Sequence, residues 1–65
     1  MTKVEKREAN NTLCLFAAGL ADAGYAARSL SALARATRTE KNKNEIITLA
    51  AGFPEIVQNS EFIVA

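Results

Sequence analysis

From Leu13 onward the apolar residues Leu13, Phe16, Ala17, Leu20 and Ala21 recur at steps of three and four, the spacing of one face of a helix. Ahead of them Thr2 stands where a helix cap belongs, with Glu5 in the first turn, so the pattern predicts a first helix over residues 3–22. Cys14, Leu15 and Ala18 widen its apolar face beyond one stripe, which implies contact with more than one neighbouring helix. Gly24 is placed to close this helix in the left-handed conformation. Gly19 falls inside the pattern, where glycine costs about 1 kcal/mol relative to alanine, and is read as a point of close helix packing. The competing arrangement is one continuous helix over 3–38 that tolerates both glycines.

A second period follows. Ala26, Leu30, Leu33, Ala34 and Thr37 share a face, with Arg28, Ser31, Arg35 and Arg38 roughly opposite, which predicts an amphipathic helix over 25–38. TRTEKNKN is the one sustained polar loop, and Asn42 with Glu45 three residues later has the form of a capping box, so a third helix is expected from about residue 43. Ile46, Leu49, Ala50 and Phe53 give its buried face. Gly52-Phe53-Pro54 must interrupt it, because proline lacks a backbone donor and biases the residue before it away from helix, while Pro54 can itself start a further turn. Ile56, Val57, Ile63 and Val64 continue the apolar positions, and after residue 59 the segment EFIVA reads either as a helical end or as a short strand.

The expected fold is all-α, a single domain over residues 1–65 in which three to four short helices form a small bundle completed by homodimerisation through the first and third helices. Leu13, Phe16, Leu20, Leu30, Leu33, Ile46, Leu49 and Phe53 are the expected core and dimer face. Composition sharpens that reading. The chain is 49% apolar and 23% charged, the balance of a folded domain, but much of the apolar content is alanine, so the core should be thin. At 65 residues such a core stabilises a monomer only marginally. One cysteine cannot form an internal disulfide, and a chain without histidine has no Cys/His zinc site. Association with a second copy is the remaining way to complete the core.

Charge adds a polarity hidden by the net value of +1. Residues 1–44 hold all eight Lys and Arg against Glu5, Glu8, Asp22 and Glu40, whereas residues 45–65 hold only Glu45, Glu55 and Glu61. Such asymmetry either attracts polyanions to one part or folds the two parts onto each other. Arg28, Arg35, Arg38, Lys41 and Lys43 form the candidate anion or nucleic-acid face. For Arg35, Arg38 and Lys41 there is a plainer explanation, since cations near a helix C-terminus favour the helix dipole. A helix-turn-helix reading would make Gly24 the turn glycine and present Ala26, Ala27, Arg28, Ser31 and Arg35 to DNA, a face poor in side chains for base edges. Phe16, Tyr25, Phe53 and Phe62 are spaced as core or interface residues rather than as a stacking platform.

Catalytic chemistry finds little footing. Without histidine Cys14 lacks an ordinary activating base, and its place in LCLF marks it as a buried small hydrophobe. Ser29, Ser31 and Ser60 have no nucleophile-elbow context, and Gly19, Gly24 and Gly52 are scattered rather than clustered into a phosphate loop. The chain is expected to be non-enzymatic, without catalytic residues, metal, cofactor or small-molecule substrate. No apolar run is long enough to span a bilayer and the charged start is unlike a signal peptide, so no membrane association is expected and the cytoplasm is the expected location.

The charged opening MTKVEKREANNTL followed by alanine-rich helices, in a chain of this length, resembles the small early accessory proteins of phages and prophages, of the lambdoid exo-xis region type. The resemblance covers the chain in general character. It implies a protein that acts on a host factor by binding it, with an unidentified protein partner. The start MTKVEK also resembles that of plasmid copy-control proteins that are helical-hairpin dimers binding RNA loops, over those residues alone. Protein–protein interaction is therefore the leading expectation, with a nucleic-acid-binding regulator or a structural subunit as the alternatives.

Overall fold

Two side chains close a ring of hydrogen bonds at the start of the chain. In the computed structural model, which describes residues 1–64, the Thr2 hydroxyl accepts from the Glu5 N–H at 3.1 Å. The Glu5 carboxylate in turn accepts from the Thr2 N–H at 2.8 Å. This capping box starts α1 (Lys3–Ala17) at the predicted residue.

The end of α1 differs from expectation. Gly19 takes φ +77°, the left-handed conformation that glycine adopts without a Cβ penalty. The Leu20 N–H donates to the Leu15 carbonyl at 2.9 Å and the Gly19 N–H to the Phe16 carbonyl at 3.0 Å. These two bonds are those of a Schellman motif. The helix therefore stops at Ala17 rather than near residue 22, and the continuous helix over 3–38 is excluded. Periodicity concealed the break because Leu20 and Ala21 keep helical spacing across the turn. Asp22 then caps α2 (Ala23–Ala36), its carboxylate accepting from the Tyr25 N–H at 2.7 Å. Gly24 lies inside the first turn of α2 and terminates nothing.

The polar loop is also shorter than its composition implied. Only Thr37–Thr39 separates α2 from α3 (Glu40–Ala50), because Thr39 is the cap and its hydroxyl accepts from the Asn42 N–H at 3.2 Å. Asn42 and Glu45 sit within α3 and form no capping box. Pro54 opens α4 (Pro54–Val57) as its first residue, after the interruption expected at Gly52 and Phe53. Residues 62–64 adopt neither helix nor strand. Ala65, the last residue of EFIVA, lies outside the described residues.

Helix α2 is the centre of the bundle and packs against α1, α3 and α4. Five of the nine buried core hydrophobics are alanines, and Leu30, Ile46 and Ile56 are the largest fully buried apolar side chains. Small residues let the helices approach closely but bury little area each, so the core is thin. Of the predicted core face, Leu13, Leu30 and Ile46 are buried, while Phe16, Leu33, Leu49 and Phe53 are half-buried against them. Phe16 and Phe53 meet edge to face, with ring centroids 5.8 Å apart. Two predictions fail on the same stretch of chain. Leu20 is 77% exposed because it follows Gly19 out of the helix, and Cys14 is exposed rather than buried.

Ser31 corrects a third. Expected on the solvent side with Arg28, it is buried, donating its hydroxyl to the Glu61 carbonyl at 3.0 Å and accepting from the Ile63 N–H at 2.8 Å. Those bonds pin the C-terminal segment along α2 and satisfy backbone groups that no secondary structure would serve. Ala27 is buried on the same side. The helix-turn-helix face is thereby removed, since Ala26, Ala27 and Ser31 all point into the protein. Among the described residues no helix is long and apolar enough to cross a membrane.

Candidate interaction surfaces

The five cations of the candidate anion face do not behave alike. Arg28 contacts the Glu61 carboxylate at 2.5 Å, joining α2 to the C-terminal segment. Both side chains stay largely exposed, so the pair contributes about 0–1 kcal/mol. It nevertheless occupies the arginine that begins the expected stripe. Arg35, Arg38 and Lys41 are exposed and Lys43 is half-buried. Among the described residues, the ion pairs are confined to Arg28 and the N-terminal ammonium, so these four cations carry none.

Their positions also alter the plainer explanation. Arg35 lies in the last turn of α2, where a cation favours the dipole. Lys41 and Lys43 lie in the opening turns of α3, because that helix begins at Glu40, and there the dipole disfavours them.

Sequence reading missed a polar junction at this end. The Met1 ammonium donates to Asn42 Oδ1 at 2.7 Å and lies 4.0 Å from the Glu45 carboxylate. Asn42 Nδ2 donates to the hydroxyl of Thr37, a buried residue, at 2.9 Å. One asparagine thus ties the start of α1 to the end of α2 and the start of α3. The signal that could have found it is the charge polarity: Met1 with Glu45, and Arg28 with Glu61, are contacts between the basic first part and the acidic second part. At the same end the Thr2 N–H, and then its side chain, hold the Glu5 carboxyl below the usual carboxylate range.

The opposite end is apolar and open, and a groove of about 500 Å³ leads to it between α1 and α2, from Glu8 and Ala36 near the polar junction past Asn11 and Leu33 to Leu15 and Tyr25. Past the Gly19 turn it continues into a depression bounded by Leu15, Leu20, Tyr25 and Arg28. Leu15, Leu20 and Tyr25 are 39%, 77% and 46% exposed. Cys14 borders the same patch beside Leu15 and Leu20. Among the described residues no three cysteine or carboxylate side chains gather where they could hold a metal ion. No family model matches the chain, and comparisons with curated proteins and with solved structures find no match.

Proposed function

We propose that the chain is a non-enzymatic interaction protein that works as a homodimer, with the α1–α2 junction as its self-association surface. The observation that carries this reading is the contiguous exposure of Leu15, Leu20 and Tyr25 around the Gly19 turn. An apolar patch of this kind on a small domain marks a contact site. The thin core favours a second copy as the occupant. An alanine-rich bundle of this size gains most by burying the leucines it leaves outside, and a two-fold contact brings the same patch from both partners together. A stable interface of about 800 Å² per partner fits within the 4218 Å² surface of the protomer. The role that follows, binding a further protein as the phage accessory proteins of similar character do, needs no reactive group.

Sedimentation across a micromolar to submillimolar range tests the reading. The wild-type chain is expected to approach twice its mass of 7.0 kDa, and Leu20→Glu is expected to sediment as a monomer with an unchanged circular dichroism spectrum, since Leu20 lies outside the core. A wild-type chain that stays monomeric throughout overturns it.

A further inference from the structure

Seven of the eight basic side chains gather at one end of the bundle, although the sequence separates them into two groups. Lys3, Lys6 and Arg7 belong to the opening turns of α1, Arg35 to the last turn of α2, Arg38 to the following loop, and Lys41 and Lys43 to the opening of α3. The Met1–Asn42–Thr37 hydrogen bonds bring these three termini together. Each of the seven is within five residues of Thr2, Thr37 or Thr39 along the chain, which is within about 8 Å along a helix. Only Arg28 lies elsewhere, and it is bound to Glu61.

Apart from Arg35, which favours the dipole of α2, nothing within the molecule employs this charge. All seven are exposed except the half-buried Lys43, and among the described residues none forms an ion pair. The acidic residues of this end are Glu5, Glu8, Glu40 and Glu45; Glu5 is engaged in the capping box and Glu45 faces the Met1 ammonium. Lys3, Lys6, Lys41 and Lys43 stand at the positive poles of α1 and α3, where they work against the helix dipole. A cluster assembled against local stability, and unpaired, fits an anionic partner outside the chain.

We propose that this end binds the phosphate backbone of double-stranded DNA without reading its sequence. The partner's class follows from what surrounds the charge. Single strands are held by stacking on aromatic rings, and three of the four rings here lie elsewhere: Phe16 and Phe53 pack together where α1 and α3 end, and Tyr25 starts α2, while Phe62 is half-buried against the core. B-form DNA offers one charge per roughly 1.7 Å of axis, dense enough for a compact basic end to meet several phosphates at once. This surface is separate from the apolar junction, so the inference stands whether or not the chain dimerises.

Fluorescence anisotropy with a labelled mixed-sequence DNA duplex tests it, beside an RNA duplex of the same sequence and a polyglutamate competitor. Five to seven phosphate contacts imply that affinity falls several hundred- to several thousand-fold, roughly, between about 50 and 200 mM salt. The triple variant Lys3→Gln, Lys6→Gln, Arg7→Gln is expected to reduce the salt slope by up to about 2.7 with an unchanged circular dichroism spectrum, while Arg28→Gln binds as the wild type does. Absence of binding to DNA at the lower salt, or a triple variant with wild-type affinity and slope, overturns the inference. Equal binding of the RNA duplex, or displacement of DNA by polyglutamate at matched charge, assigns the surface to another partner and overturns it as well.

Discussion

The two ends of this bundle are joined by different chemistry, and each leaves a different residue of surface. Where α1 turns into α2, the backbone does the work: Gly19 reverses the chain, Asp22 restarts it, and Phe16 meets Phe53. Apolar contact has no direction, so the turn closes without using Leu15, Leu20 or Tyr25, which stay outside. Where α2 turns into α3, one hydrogen bond accepted by Asn42 from Met1 and one donated by it to Thr37 hold three termini together. They consume an ammonium, an amide and a hydroxyl, and leave the cations around them unpaired. A small bundle can thus present an apolar face at one end and a charged face at the other.

The largest expected effect lies between the ends. Leu30 is fully buried on the central helix, and Leu30→Ala is expected to cost about 2–5 kcal/mol, measured by urea unfolding. In a bundle this small that would melt both ends together, and a variant in which one end stays protected from hydrogen exchange would show that the ends fold separately.

Substitutions at the ends sharpen the contrast. Asn42→Ala removes the partner of the ammonium and of the buried Thr37 hydroxyl, and is expected to cost about 1–3 kcal/mol, with faster amide exchange at the start of α1. Gly19→Ala meets no atom within 4 Å, so its cost is that of the left-handed backbone alone, about 1–2 kcal/mol. Its amide-exchange changes should centre on residues 17–22 and spare the Asn42 junction. If the two variants loosened the same amides, the distinction between the ends would fail.

Acid gives the smallest effect. Because the folded carboxyl of Glu5 titrates below its ordinary value, its contribution is present above the unfolded pKa and is lost as pH falls through the folded one. The first-turn amides of α1 should therefore fray selectively during an acid NMR titration, before the Gly19 turn responds.

Much of the fold was legible because its causes are local. Thr2 with Glu5, and Pro54 after Gly52-Phe53, carry their geometry in their own side chains, and Leu13, Leu30 and Ile46 are large enough to mark the core. The ends of the helices were less legible. Hydrophobic period runs unbroken through Gly19 to Leu20 and Ala21, so the exposed leucine looked like a core one. Thr39 and Asn42 are both good caps, and which of them acts depends on the pull of Thr37 and Met1 on the Asn42 side chain. Ser31 looked polar and therefore exposed, because its partners, the backbone of Glu61 and Ile63, lie about 30 residues away in the sequence. The charged end was half visible: Arg35, Arg38, Lys41 and Lys43 were in view, Arg28 proved to be engaged elsewhere, and Lys3, Lys6 and Arg7 join them only through the tertiary junction.

The most direct test of the division between the ends is a dilution series of backbone-amide NMR spectra at constant salt. Concentration-dependent shifts confined to residues 14–25, with residues 35–43 unmoved, are the predicted result. Spectra that do not change with concentration, or that change first around residues 35–43, would contradict the assignment of self-association to the apolar end.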